Sequence, residues 1–571
     1  MKILLIYPYF LNARLDPADI SVIPIGVYYV AAVLKDHQYD VEILNWHNVH
    51  KTPEKIASTL IEKNPDVIGF SILHANRWGG IEIARIAKEV IPQAKTVFGG
   101  IGATYLWEHF LTHFKEIDFI VLGEGEYTFL NLVQTIEEKD FGHIPNIKGI
   151  AYKKGNYLVT TGMPAAIRNL DKLPVPAKYF EYQHVLLSRG CPGNCTFCGS
   201  PEFWKHKVRF HSAGYFVEQL ELLNKKGVSF FYFSDDTLTL QKKRVIEICK
   251  KICEKNLRIV WQAVSQVKHV DPEILSWMRK AGCVQISYGV ESGSEKIRKK
   301  LNKPITDDQI ERAFRITTKY GILARAYFIY GSPGETRETI QETLDLIQKI
   351  RPLSVIFYIL DIFPGTALYQ DFKERFKLTD DFWLNRIEDI LYFETDAQLS
   401  AEAVLDFGKR LRDYFYQNLR GYASGIELVD EKEFYPLHAD FLSRIAMTFS
   451  HGDYAGIAVI KDKDRVAAEL YQRALDYYPD HRAYLGLGMI SQKNREFEKS
   501  IRILGKGMGH YPDSEQLNLC AGINYMNLGR FDKALSYLLK IKNSKKAVDY
   551  ITECYKALGQ TDKAEDLLKK P

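Results

Sequence analysis

The sequence predicts an α/β protein of three parts: an N-terminal doubly wound parallel sheet, a partial (β/α)6 barrel and an all-α array of repeats. Three observations predict it. Short runs rich in Ile and Val alternate with helical periodicity in two separate blocks, the pattern of parallel strands covered by helices. Three cysteines, Cys191, Cys195 and Cys198, cluster at the head of the second block. Leu485, Gly488, Phe497 and Ser500 recur as Leu519, Gly522, Phe531 and Ala534, each pair 34 residues apart. The expected boundaries are 1–140 for the sheet, 141–182 for a linker, 183–410 for the barrel, 411–439 for a connecting helical segment and 440–571 for the repeats.

Bulk composition narrows the function classes. A chain of 571 residues has room for about three or four domains. It is 46% hydrophobic and 26% charged, so neither disorder nor membrane dominates. The longest apolar stretches, such as 354–360, are too short to span a bilayer, and no membrane span is expected. Met1 through Pro8 shows no small-residue cleavage site and reads as a strand. A net charge of +5 without a basic block gives no electrostatic footprint for nucleic acid. Eight cysteines, three of them clustered, suit a reducing, cytoplasmic setting better than a disulfide framework.

In the first part, strands are expected at 2–7, 40–44, 67–71, 96–98 and 118–122. A doubly wound sheet binds ligands at the carboxyl ends of its strands. Ser71 through Arg77 follow the third strand, Gly99-Gly100-Ile101-Gly102-Ala103-Thr104 the fourth, and Gly123-Glu124-Gly125-Glu126 the fifth. Glycines there let backbone approach a large flat ligand and expose amide donors; they also serve ordinary tight turns of a flavodoxin-like domain. Taken together with Pro24-Ile25-Gly26 opening the first helix, the three loops resemble the cobalamin-binding domain that precedes many radical S-adenosylmethionine (SAM) cores. The resemblance implies cobalamin contacts from Ser71, His74, Arg77, Gly99, Gly100, Gly102, Gly123, Glu124 and Gly125. The D-x-H-x-x-G of the methionine-synthase type, whose His ligates cobalt from below, is missing, which leaves the lower face unassigned.

Residues 149–152 and 157–161 then read as a hairpin, and the Pro-punctuated 170–177 as an ordered connector. Barrel strands are expected at 184–188, 230–234, 259–263, 284–288, 324–330 and 355–359, with active groups at their C-terminal ends. The run Arg189-Gly190-Cys191-Pro192-Gly193-Asn194-Cys195-Thr196-Phe197-Cys198 follows the first of them. Three thiolates can ligate three irons of a 4Fe–4S cube and leave the fourth open, whereas a ferredoxin supplies four. A zinc site completed by His206 or His211 is the alternative. The C-x3-C-x2-C spacing, with Phe197 before the third cysteine, resembles the radical SAM superfamily. That resemblance implies that the open iron chelates SAM and that the cluster cleaves it to a 5′-deoxyadenosyl radical. It further implies SAM contacts from Phe197, from Asp235 and Asp236 after the second strand, from Gln262 on the third, and from Glu291 in Gly289-Val290-Glu291-Ser292-Gly293-Ser294. Helix capping is the competing reading of the carboxylates. Arg209 is expected to face solvent, and Cys249, Cys253, Cys283, Cys520 and Cys554 to pack as small hydrophobes.

The 34-residue period resembles tetratricopeptide repeats, which bind a peptide or carrier protein, or dock or self-associate. Together the resemblances imply a cobalamin-dependent radical SAM enzyme that methylates an unactivated carbon, with an electron donor such as flavodoxin or ferredoxin. A cobalamin-dependent oxidative cyclisation is the rival within the architecture. A repeat-based adaptor with a vestigial enzyme core is the rival outside it.

Overall fold

The computed structural model describes residues 1–11, 22–49 and 52–568. Its first sheet comprises β1 (Lys2–Tyr7), β2 (Asp40–Asn45), β3 (Val67–Ser71), β4 (Lys95–Gly99), β5 (Phe119–Val121), β6 (Ile150–Lys154) and β7 (Tyr157–Thr160). The strand order is β2-β1-β3-β4-β5-β6-β7. The first five are parallel, as their unbroken apolar character requires for strands covered on both faces. The strand expected over 118–122 is observed as 119–121, and the Asp118 carboxylate beside it takes the Thr96 N–H (2.8 Å) and pairs with Lys88 (2.6 Å).

The hairpin expected within a free-standing linker joins this sheet. Ile150 and Ala151 are buried and pair antiparallel with Val121 and Ile120. The pairing covers the N–H and C=O groups that β5 would otherwise leave open at the edge.

The second sheet is all parallel, in the order β15-β14-β13-β12-β11-β8. Its strands are β8 (His184–Val185), β11 (Phe230–Phe233), β12 (Val260–Ser265), β13 (Cys283–Glu291), β14 (Leu323–Tyr330) and β15 (Ser354–Ile359). Amphipathic helices cover its outside, and Trp261 stacks on Phe233 with ring centroids 4.2 Å apart. The strand expected over 184–188 divides after Val185. The Asp235 carboxylate accepts the Leu187 and Ser188 N–H groups, so the chain leaves the sheet. It forms β9 (Ser188–Arg189), which pairs antiparallel with β10 (Arg209–Phe210).

The remainder is helical. Helices Tyr435–Ser450 and Lys463–Tyr477 share one continuous apolar core with the barrel, through Phe441, Ile445, Phe449 and Leu470. Beyond them the 34-residue period becomes packing. Helix pairs His481–Lys493/Phe497–His510 and Glu515–Asn527/Phe531–Leu538 superimpose their contacts: an added Cβ would fall 2.6 Å from Leu504 at Gly488 and 2.6 Å from Leu538 at Gly522. Only glycine lets the two helices of a unit approach so closely. Each later unit has its own small core, around Leu504 and Leu517 and then around Leu538 and Ile551. No helix among the described residues is long and apolar enough to cross a membrane.

Asp440 ties the array to the barrel. Its carboxylate meets Arg279 of the barrel (2.8 Å), Arg444 of its own helix (2.9 Å) and Arg482 of the next unit (2.8 Å). Burial alone would raise this carboxyl, but the guanidiniums outweigh it and hold it at about 2. Asp440→Asn strands the buried Arg279 cation, for an expected loss of about 3 kcal/mol, the low end of the cost of breaking a buried pair. The folded value lies below the ordinary 3.8, so this stabilisation is complete above 3.8 and is lost as pH falls toward 2. Thermal melts of the two proteins should differ by a constant amount at neutral pH and converge in strong acid.

Candidate active site

Gly190 sets the entry to the cysteine loop. Its φ of +106° suits glycine, and a Cβ there would fall 2.2 Å from the Lys207 carbonyl oxygen. Cys191, Cys195 and Cys198 are free and half-buried. Gly193 lies between the first two: a Cβ would sit 3.3 Å from Cys191 Sγ and 4.0 Å from Cys195 Sγ. Its N–H points at Cys191 Sγ (3.4 Å), which Gln266 Nε2 also approaches (3.6 Å). Burial raises the Cys195 thiol and pushes Cys198 up to about 11, so these sulfurs need a cationic partner to lie as thiolates.

Thiolates on one zinc ion would stand about 3.8 Å apart, given Zn–S bonds of about 2.3 Å. Among the described residues, none of the three cysteines belongs to a group of three ligand atoms within 4.8 Å of one another. His211 is sandwiched between Tyr29 and Tyr215 and bonded to Asp171 (3.0 Å), while His206 faces the Gly193 carbonyl (3.3 Å). The three sulfurs are not gathered as one zinc ion would need, and three thiolates suit three irons of a cluster.

The carboxylates expected nearby divide into different roles. Asp236 lines the cavity described below and accepts from Ser200 Oγ (2.6 Å). Glu291 ends β13 at φ +66° and pairs with Lys303 (2.8 Å), both nearly buried. Burial disfavours the Lys303 ammonium, but Glu291 and the Cys195 sulfur outweigh it and raise its pKa. Asp235 corrects the expectation of a SAM contact. It is 2% exposed, burial pushes its carboxyl up to about 7, and it accepts from Leu187, from Ser188 and from the Ser188 hydroxyl. Its acceptor sites are committed to shaping the strand before the cysteine loop. Gln262 receives the Gln285 amide (2.7 Å) on the barrel wall, while Gln266, one residue beyond β12, reaches the cysteine. Phe197 packs partly buried against the core.

A cavity of about 570 Å³ joins the two sheets. Ser71, Gly99, Gly123 and Gly125 line it from the N-terminal strand ends; Cys198 and Asp236 line it from the barrel. A Cβ added at Gly26 would meet nothing within 4 Å, so this wall is a cradle that a side chain would begin to fill. Gly100, at φ +98°, would drive a Cβ to 2.8 Å from the Ile72 oxygen, and Gly102 would place one 2.6 Å from the Leu73 carbonyl carbon.

His74 lies beside the lining residues, stacked on Phe363 (5.1 Å) and 3.5 Å from Asp361. Arg77 was expected at the ligand; it is instead fully buried and turned away. Its guanidinium donates to the carbonyls of His74 and Ile387 (2.8 and 2.6 Å) and lies over Trp383 (4.4 Å). Burial lowers it to about 9, and its two terminal nitrogens donate to backbone carbonyls of His74 and of residues 383–387. Arg209 does not face solvent. It and Arg189 both bind Glu124, each at 2.7 Å, and Arg189 also binds Glu126 (2.6 Å). Glu124 thus lines the cavity while tying the N-terminal sheet to both strands flanking the cysteine loop. Sequence reasoning missed Lys303, Gln266 and this arginine pair. The glutamine was within reach, because its strand runs two residues past the expected end.

One cavity is thus bounded by a glycine-rich doubly wound sheet and by a three-cysteine loop on a parallel barrel. Residues 185–347 match the radical SAM superfamily and residues 15–133 the B12 binding domain. Over 382 residues the chain is 31% identical to an uncharacterized methyltransferase of Pyrococcus horikoshii, covering 65% of this chain and 83% of that one. It is 29% identical to the anaerobic magnesium-protoporphyrin IX monomethyl ester cyclase of Cereibacter sphaeroides, over 66% of this chain and 65% of that one. The fold resembles the radical SAM methyltransferase TsrM of Kitasatospora setae, solved with cobalamin and a 4Fe–4S cluster (TM-score 0.56, 18% identity, 66% of this chain and 75% of that one). The chain belongs to the cobalamin-binding branch of the radical SAM superfamily. It is an enzyme whose cofactors are a 4Fe–4S cluster, SAM and cobalamin.

Proposed function

We propose that this enzyme methylates an unactivated carbon of a substrate held between its two sheets, with SAM as methyl donor and radical source. The observation that carries this reading is the single cavity lined by both the N-terminal strand ends and the cysteine loop. In it, residues 1–140 hold cobalamin and residues 183–410 hold the cluster and SAM. When bound, the cluster and SAM supply the oxidising radical and cobalamin supplies the methyl group. Cys191, Cys195 and Cys198 anchor the cluster. Asp236 and Glu291 accept charge-assisted hydrogen bonds from the ammonium or hydroxyl groups of SAM. Ser71, Gly99, Gly100, Gly102, Gly123 and Gly125 let the corrin approach the backbone. Apolar lining from Leu5, Ile6, Val30 and Phe363 keeps water from the reacting carbon.

With methyl-labelled SAM and reductant, the product is expected to be heavier than the substrate by one labelled CH2 unit. A product with an unchanged carbon count would replace methylation by cyclisation, the activity named for the Cereibacter relative. The eight free cysteines suit a cytoplasmic enzyme fed electrons by a flavodoxin or ferredoxin. The 34-residue units, with a groove of about 760 Å³ beside Tyr484 and Lys493, suit recruitment of a protein partner or a second copy.

Among the described residues no histidine lines the cavity. Electron paramagnetic resonance of the cob(II)alamin form is therefore expected to lack superhyperfine splitting from an axial histidine nitrogen. A triplet that becomes a doublet when the protein's histidines carry 15N would place a histidine below cobalt and contradict this arrangement.

A further inference from the structure

A second cluster of ligating side chains lies outside the cofactor cavity, where the N-terminal domain meets the segment that follows the barrel. His109 and His113 share one face of the helix Trp107–His113, four residues apart. Asp381 opposes them from the first turn of the 3-10 helix Asp380–Leu384, whose start is capped by Thr379. His113 Nε2 lies 2.7 Å and His109 Nδ1 3.8 Å from the same oxygen, Asp381 Oδ1. One ligand atom from each residue falls within 4.8 Å of the others, and among the described residues no other group of three does so.

The His109 imidazole supplies the second observation. Its side chain is 1% exposed, yet neither ring nitrogen has a hydrogen-bond partner. A buried polar atom left unpaired carries its full desolvation penalty. The Oδ1 oxygen of the neighbouring Asp380 is taken by Tyr369 (2.8 Å) and Lys373 (2.9 Å).

We propose that His109, His113 and Asp381 bind one divalent transition-metal ion, zinc foremost, and that this ion clamps the cobalamin domain to the segment after the barrel. Imidazole and carboxylate are its usual ligands, at bond lengths near 2.0–2.2 Å, which separate ligand atoms in a tetrahedron by about 3.3–3.5 Å. The observed 2.7 and 3.8 Å bracket that separation, so small rotations suffice to seat the ion. Asp381 is 59% exposed and gives the ion its path of entry; a water completes the fourth position. Arg77 already fastens residues 383–387 of the same segment through carbonyl contacts. The ion would extend that fastening to Asp381.

The test uses full-length, tag-free enzyme with its cluster loaded, so that the three cysteines are occupied. After dialysis against buffered free zinc, zinc and iron are counted together by mass spectrometry, alongside circular dichroism. One zinc per chain is expected with the iron count unchanged. His113→Ala and Asp381→Asn, both at the exposed rim, should each weaken zinc binding by at least the 10- to 100-fold typical of losing even an outer partner. Zinc should raise the melting temperature of the parent and not that of the variants. Absence of zinc from the parent, undiminished zinc in both variants, or zinc that appears only as iron is lost would each overturn the assignment. The metal count is independent of turnover, so it stands or falls apart from the methylation reading.

Discussion

Replacing Cys191, Cys195 and Cys198 together by alanine eliminates 5′-deoxyadenosine formation, down to the level seen without enzyme. The three sulfurs are free and half-buried in a loop whose backbone is held by other groups. Asp235 fixes Leu187 and Ser188 before it, and the Thr196 N–H and C=O bind Leu301 and Leu368 within it. The substitution therefore removes the iron ligands and leaves the scaffold. Circular dichroism and cobalamin content should match the parent, while iron and deoxyadenosine, counted by mass spectrometry, both vanish. Deoxyadenosine at the parental rate would refute the cluster assignment.

Glu124→Leu is expected to be the most damaging single change at the domain junction, costing about 3–5 kcal/mol because it strands the buried Arg209 guanidinium and leaves Arg189 to Glu126 alone. Glu124 takes Arg189 and Arg209 at 2.7 Å each and the Ile167 N–H at 2.8 Å. Burial pulls its carboxyl up, but Arg209 and Arg189 outweigh burial and hold it below the ordinary 4.5. The carboxylate contributes in full above 4.5 and loses its contribution as pH falls through the depressed folded value, so the deficit of the variant is complete at neutral pH. A lower melting temperature should accompany loss of cobalamin on desalting, read from its visible absorbance. An unchanged melt with full cobalamin content would show that the two sheets are aligned by something else.

The parts of the fold written in local pattern were legible in the sequence. Apolar runs located the parallel strands, most to within a residue or two, though β8 ends three residues early and β13 runs three residues on, and the period of 34 anticipated that Gly488 and Gly522 hold equivalent places in successive helix pairs. The cysteine spacing needed no tertiary information. What escaped was decided by partners far along the chain. Arg77 follows a strand end like any ligand-binding residue, yet it is captured by carbonyls of Trp383, Asn385 and Ile387 that no periodicity announces. Asp235 and Asp236 are adjacent and chemically alike. Strand geometry turns the first into the backbone of 187–188 and leaves the second on the cavity wall. The hairpin at 150–160 was visible as a hairpin, but its pairing with β5 depended on which edge stood open.

The repeat packing also separates the size of this enzyme from its chemistry. Each later helix pair rests on its neighbours, around its own few buried side chains, and adds nothing to the cavity wall. Copying or deleting a whole 34-residue block would carry its own glycine seat with it and present the same end to the next block. A cut that shifts one helix against its partner would set a side chain where Gly488 or Gly522 now stands, 2.6 Å from the facing leucine. The tail can therefore gain or lose whole blocks without a change to any residue that lines the cavity.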